Sequence, residues 1–366
     1  MSEAENNRIS NGRDTIKRPR DTRHAYGTTD PAQLHTFVVC AYKESPYLQK
    51  CVASLMRQRA KSRILIATST PNEWIRRVAK RYGLEVRVNR SRHLEETTAA
   101  GTDAFPDDNR TSAMDKTADG ISGGTMGGTT DGSAAIIGGI ANDWNFALAQ
   151  ADTPLITLAH QDDLYHPAYA EQVIRAYERS RARRPIILFT DYRELRPAQE
   201  ASGESDLSVG TRGTAGSSDS DQPGSWRITE SGLIRTKRLM SAPLTIRPLQ
   251  QSRFMRRRIL SFGNAICCPS VTYVRERLPE GGALFTGEMK SNIDWQAWEQ
   301  LSRETGAFLY ISRPLMLHRI HEDSTTAGLV QDHARREEDL YMFRKFWPGK
   351  IPELIWKAYG KNEQYQ

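Results

Sequence analysis

The sequence predicts an α/β protein built around a parallel sheet. Short β-prone apolar runs alternate with stretches of helical periodicity from residue 36 onward. The helical stretches carry start and stop signals of their own. Strands alternating with helices call for parallel neighbours joined by right-handed crossovers.

Order is expected to follow a disordered arm of residues 1–34, which is polar, rich in Arg, Asp and Asn, and has little to bury. Residues 36–41 (Thr-Phe-Val-Val-Cys-Ala) read as a buried strand. Ser45 and Pro46 then supply an N-cap and a first-turn proline, and Leu48, Val52 and Leu55 recur at helical spacing. Residues 64–67 give a second strand. Thr70 and Glu73 make a capping box around Pro71, and Ile75, Val78 and Ala79 carry the helix to a stop at Gly83. Residues 84–88 read as a third strand.

Two polar insertions interrupt the rhythm, at about 91–133 and 198–225. The first contains Gly123-Gly124-Thr125-Met126-Gly127-Gly128 but lacks the Gly-Lys-Ser/Thr ending of a phosphate loop. Between them lie a helix over 142–149, a strand over 154–159 ending in His160-Gln161-Asp162-Asp163, a helix from Pro167, and a strand over 186–189 ending at Asp191. Beyond come a basic stretch (235–258), an apolar run (265–274), a Trp-containing helix (295–303), a strand (308–311) and a charged helical tail from Asp332.

Composition narrows the class. The chain has 366 residues, 38% of them hydrophobic, and its 51 Lys+Arg against 44 Asp+Glu leave a net charge of +7. Both signs are abundant and no recognised motif is present, so nucleic acid is not an expected partner. The excess suits an anionic ligand, a peripheral visit to an acidic membrane, or ordinary surface charge. Cys40, Cys51, Cys267 and Cys268 form no C-x-x-C pair and read as buried free thiols of a reducing compartment. No apolar signal core opens the chain and no window reaches a membrane span, so a soluble cytoplasmic protein is expected, peripheral at most to the inner face of a membrane.

Ligands of open α/β sheets bind beyond the carboxyl ends of the strands. That points to residues 41–44, residues 68–70, residues 160–163 and Asp191. Asp162-Asp163 is the sharpest of these: adjacent carboxylates repel unless a cation joins them, and Mg²⁺ uses one or two carboxylates plus substrate phosphates. The plainer reading is a turn whose Asp caps the next helix. Asp294 reads as a functional carboxylate or a helix cap. His318 and His321 read as ligands or as structural groups. Trp295 and Trp298 read as core or as cleft aromatics. Arg256-Arg257-Arg258 reads as an anion site or a solvated surface, and Cys267-Cys268 as packing.

Five segments in order resemble the family-two glycosyltransferases with a GT-A fold. They are Phe37-Val-Val-Cys-Ala-Tyr-Lys-Glu44 with its following helix, 138–145, Leu158-Ala-His-Gln-Asp-Asp-Leu-Tyr-His-Pro167, Asn292-Ile-Asp-Trp295, and His318-Arg-Ile-His-Glu-Asp-Ser324. The resemblance spans about 36–326, insertions excepted. It implies a GT-A-type, Rossmann-like mixed and mostly parallel sheet with helices on both faces in a catalytic domain of residues 35–330, followed by a C-terminal helical extension, 331–366. It implies transfer of a hexose-type sugar from a nucleotide-sugar to a glycan or lipid-linked acceptor, with inversion and with Mn²⁺ or Mg²⁺, in surface polysaccharide or related glycan synthesis.

Carried over by position, Ala41, Tyr42 and Glu44 border the nucleotide. Asp162 ligates the metal, Asp163 supports it or meets the donor sugar, Asp294 is the general base, and His321 reaches the diphosphate or metal. Two positions depart from the family pattern. His160 stands where an Asp is usual, and the second strand ends in Thr68-Ser69-Thr70, so that a hydroxyl replaces the base-reading carboxylate. A non-catalytic nucleotide-sugar-binding scaffold is the rival reading. A sugar nucleotidyltransferase is a weaker one, because Tyr42-Lys43-Glu44-Ser45-Pro46 lacks a Gly-rich pyrophosphate loop.

Overall fold

The computed structural model describes residues 30–90, 139–197, 226–279, 283–321 and 333–363. Both expected insertions and residues 1–29 of the expected arm lie outside it. The arm's last residues do not: Pro31–Leu34 (α1) form a helical turn capped by Asp30, whose carboxylate accepts the Ala32 amide.

The alternation read in the sequence gives β1 (His35–Ala41), α2 (Leu48–Met56), β2 (Arg63–Thr68), α3 (Glu73–Tyr82), β3 (Glu85–Val88), α4 (Gly139–Ala149) and β4 (Leu155–His160). After β4 come β5 (Leu164–Tyr165), α5 (Tyr169–Glu178), β6 (Pro185–Pro197), β7 (Trp226–Thr229), α6 (Gly232–Ser241), α7 (Arg247–Gln251) and α8 (Arg253–Ile259). The remainder is β8 (Val271–Val274), α9 (Ile293–Ser302), β9 (Ala307–Arg319), α10 (His333–Arg344) and α11 (Ile351–Glu363).

The nine strands among the described residues form one sheet in the order β3-β2-β1-β4-β8-β6-β9-β5, with β7 paired to β6. Strands β1, β2, β3, β4, β6 and β9 point one way; β5, β7 and β8 oppose them. The fold is therefore mixed and mostly parallel, as expected. Alternate β1 side chains separate two cores. Phe37, Val39 and Ala41 pack with α2, α3 and α5. Val38 lies on the opposite face, in the cluster that α4, α8, α9 and α10 complete. Helices thus cover both faces, and Met342 and Phe343 of α10 join the second core.

Local chemistry sets the ends of the helices, sometimes through other residues than expected. Asn72, not Thr70, caps α3, because its side chain accepts the Ile75 amide at 2.9 Å. Gly83 closes that helix in the left-handed region at φ 64°. Ser45 accepts the Tyr47 amide one turn before α2, and its hydroxyl is also used elsewhere. Asp294 lies inside the first turn of α9, while Asn292 holds the cap position.

The last strand pair is far longer than its apolar runs suggest. Residues 186–189 and 308–311 pair in parallel, as β6 and β9, and pairing continues past them to Leu195 and Arg319. Register shifts around Asp191 absorb Pro314, which cannot donate to a ladder. This extension carries His318 and Arg319 to the carboxyl end of β4.

Gly306 turns the chain into β9 at φ 147°, and its carbonyl accepts from the buried Arg256 guanidinium. An added Cβ would press on the Arg184 carbonyl. Gly306→Ala is expected to cost ~3 kcal/mol, read as a lower urea midpoint at unchanged m-value.

Candidate active site

Loops at the carboxyl ends of β1, β2 and β4 meet in one place and are tied to each other by side chains. Gln161 accepts the Tyr42 amide and donates to the Tyr42 carbonyl, both at 3.0 Å, so the chain leaving β1 is clamped to the chain leaving β4. The Lys43 amide donates to Thr70 Oγ1 at 2.6 Å, which adds the end of β2. Lys43 itself sits at φ 54°, a left-handed conformation uncommon for a non-glycine residue. Lys43, Glu44, Thr70, Pro71 and Asn72 border an open depression above these ends.

Asp162 and Asp163 follow β4 and have different surroundings. Asp163 is 1% exposed. Its Oδ1 accepts the Arg319 amide at 2.9 Å and faces His318 Nδ1 at 3.0 Å, so the end of β9 holds it in place. Burial opposes a charge on His318, but the Asp163 carboxylate outweighs it and moves His318 above its ordinary value.

Asp162 is more open. Ser45 donates to its Oδ1 at 2.7 Å, and His321 Nε2 lies 3.5 Å from its Oδ2. Burial works to raise this carboxyl, but the contacts with His321 and Ser45 prevail and hold it below its usual value. Arg319 Nε donates to the Asp162 carbonyl at 2.9 Å, and its guanidinium lies 4.3 Å from the ring centroids of both Tyr47 and Trp226. Tyr47 also packs on His321.

His160 ends β4 behind this pair. Its ring stacks on Trp144 at 5.2 Å, and burial lowers its proton affinity, so it stands neutral. Its Nε2 has no partner among the described residues.

Asp294 makes no direct contact with that group. Asn264 donates to its Oδ2 and the Trp295 amide to its Oδ1, both at 2.8 Å. Burial raises its pKa against these hydrogen bonds. Burial pushes the Cys267 thiol up, with Asp163, Asp294 and Glu194 adding to the shift and Lys237 opposing it. Asp191 is paired with Arg238 at 2.5 Å and borders a narrow cavity, with room for about one water molecule, shared with Lys237, Cys267 and Tyr310.

The residues singled out in the sequence therefore fall into three sets. Asp162, Asp163 and His321 come together. Ala41, Tyr42 and Glu44 sit at the β1 end, with Ala41 buried and the other two exposed. Asp294 stands apart. Thr68 is turned inward and accepts the Thr70 amide at 3.0 Å, so the hydroxyl on the depression is that of Thr70.

Gln161 as a clamp, Arg319 and Trp226 as a stacked pair, and Asp143 are not among the residues singled out in the sequence. The Asp143 carboxylate accepts from Ser69 at 2.8 Å and Asn89 at 2.9 Å across the ends of β2 and β3. Arg319 lies in a segment already singled out and could have been flagged there. Trp226 emerges from a polar stretch with no pattern to mark it.

A metal of the kind implied by the sequence resemblance can be tested against these side chains. No group of three or more His, Cys, Asp or Glu able to hold a metal ion occurs among the described residues. Asp162 and His321 converge as a pair, with His321 Nδ1 unpartnered among the described residues. Two protein ligands fit Mg²⁺ or Mn²⁺ completed by substrate phosphate and water, not a closed all-protein cage.

No protein-family model matches the chain, and no curated protein matches it in sequence. Among the solved structures that resemble it, three illustrate how weak the likeness is. TarS 1–349 of S. aureus, in complex with UDP-GlcNAc, is 11% identical over 90% of this chain and 72% of that one, with a TM-score of 0.45. The mannosyltransferase PcManGT of Pyrobaculum calidifontis, with GDP-Man and Mn²⁺, is 12% identical over 91% and 71%, at 0.44. Glucosyl-3-phosphoglycerate synthase of Mycobacterium tuberculosis, with Mn²⁺, UDP and phosphoglyceric acid, is 12% identical over 92% and 86%, at 0.45.

The two neighbouring aspartates should differ in what they do for stability. Asp163→Ala strands the buried Arg319 amide and should cost about 3 kcal/mol in chemical denaturation. Asp162→Ala, at the more open carboxylate, should cost about 1 kcal/mol or less.

Proposed function

We propose that this chain is a glycosyltransferase of the GT-A type, moving a sugar from a nucleotide diphosphate-sugar to an acceptor hydroxyl with inversion. The observation that carries the reading is the division of labour after β4. Asp163 is locked by β9, while Asp162 faces His321 at the sheet's carboxyl edge, beside an open depression at the β1 end. The motif order in the sequence points the same way.

In this reading the nucleotide lies along residues 41–44 and Thr70. Asp162 and His321 would hold a divalent metal, which when bound would supply Lewis-acid stabilisation of the departing diphosphate. Arg319, with no acceptor for its terminal nitrogens among the described residues, adds a fixed positive charge there. Asp294 takes the proton from the acceptor hydroxyl as that oxygen attacks the anomeric carbon. The bond from that carbon to the nucleoside diphosphate breaks with its electron pair leaving on phosphate oxygen. Burial suits Asp294 to the task, because a raised pKa makes a carboxylate a stronger base. A glycan or lipid-linked acceptor in surface polysaccharide synthesis fits this chemistry.

A non-catalytic nucleotide-sugar-binding scaffold is the second reading. It is favoured by His160, which is stacked and neutral where the resembled family uses a carboxylate.

Thermal shift with nucleoside diphosphates and nucleotide-sugars, with and without Mn²⁺, tests the donor site. A metal-dependent rise in Tm with one nucleotide, lost in Asp162→Ala, is expected; a folded protein that responds to none overturns the reading. Once a donor is known, Asp294→Asn should lower kcat by roughly 10²–10⁴-fold with the nucleotide shift retained. Equal turnover in that variant would remove Asp294 as the base. The acid limb of kcat/KM should sit above the usual aspartate value of about 4, since activity is lost as pH falls through the raised pKa of Asp294.

A further inference from the structure

The stretch from α6 through α8 is chemically unlike the rest of the chain. Residues 232–262 contain eight Lys or Arg and no Asp or Glu. They fold as one layer: α6, α7 and α8 all pack on the turn Ala242–Thr245, and that turn and α7 pack on β9. The inner side of the layer is occupied by Ile234, Leu244, Gln250, Arg256 and Ile259, all buried.

The outer side carries Leu239 at 75% exposure, Phe254 at 73% and Ile246 at 55%. Leu239 and Phe254 are the two most exposed large hydrophobic side chains among the described residues. Arg235, Arg247, Arg253 and Arg258 are exposed on the same elements, and none forms an ion pair among the described residues. Arg258 lies over Phe262 and Trp347, which extends the same mixture of aromatic rings and guanidinium groups.

From this surface we propose that the α6–α8 layer docks the protein on an anionic lipid membrane. Charge complementarity selects the partner, because the layer offers unpaired cations and no carboxylate to repel phosphate headgroups. The apolar side chains decide between a membrane and an acidic protein. They stand exposed on the same stretch of chain as the exposed guanidinium groups, the mixture of an interfacial surface that lowers apolar tips into the acyl boundary while its cations meet the phosphates. Arginine suits this position because its aliphatic stem lies along apolar surface while its head stays in the polar layer. Such docking brings the candidate active site close to the bilayer. Lys237 and Arg238, on α6, border the cavity beside Asp191, and a helix is only about 10 Å across. The inference does not depend on the identity of the donor.

Flotation of the full chain with vesicles tests it, comparing phosphatidylcholine alone with phosphatidylcholine plus phosphatidylglycerol. Binding is expected on the anionic vesicles only, weakening as salt rises. The double variants Leu239→Ser/Phe254→Ser and Arg247→Glu/Arg253→Glu should each lower the vesicle-bound fraction by about tenfold or more. Circular dichroism, melting temperature and any nucleotide-induced thermal shift should stay as in the parent chain. Failure here is thereby separate from failure of the donor site. No binding to anionic vesicles, equal binding to neutral ones, or binding that survives both double variants overturns the proposal. So does a dimer in light scattering that the Leu239→Ser/Phe254→Ser variant dissociates, which would assign the face to a second copy.

Discussion

The grip of β9 on Asp163 is the contact from which the rest of the candidate site takes its geometry. A carboxylate that is 1% exposed needs partners, and the Arg319 amide and His318 ring supply them at Oδ1, while Oδ2 has none among the described residues. That contact fixes the turn after β4. With the turn fixed, Asp162 lies where Ser45 and His321 can reach it, and Gln161 lies where it can clamp Tyr42. Four chain segments distant in sequence converge because one buried charge requires them to.

The placement has consequences for charge. Asp163 spends its negative charge inside the fold, on His318 and a backbone amide. Asp162 is held in its ionised form by hydrogen bonds yet remains more open, so its charge is available to a ligand. Asp294 is opposite in character, because burial raises its proton affinity while Asn264 and the Trp295 amide fix its orientation. Asp162 and Asp294 are thus pushed in opposite directions, a difference suited to dividing metal binding from base chemistry.

Arg256 shows how a long basic stretch can contain unlike residues. The sequence left Arg256-Arg257-Arg258 open between an anion site and a solvated surface, and the three part ways. Arg256 is buried and donates to backbone carbonyls, including that of Ser302 at 3.2 Å. Arg257 pairs with Glu299, and Arg258 lies over aromatic rings at the surface. A helix turns about 100° per residue, so three consecutive side chains meet three environments. Only tertiary packing says which one each receives.

The sequence by itself determined the alternation of strands and helices, the burial of β1 and the pair of aspartates after β4. These depend on periodicity and local capping, which act over a few residues. It also singled out Asp294 and His321 by resemblance. What it could not set was direction and length among the later strands. The antiparallel insertion of β8 between β4 and β6 leaves no local trace in an apolar run. The continuation of β9 through Pro314 rests on register shifts opposite Asp191, a property of the pair and not of either strand. That continuation places His318 and Arg319 beneath Asp163. The tertiary structure alone therefore decided which aspartate is locked and which is left to meet a ligand, because the locking partners lie some 155 residues away and reach it only through the sheet.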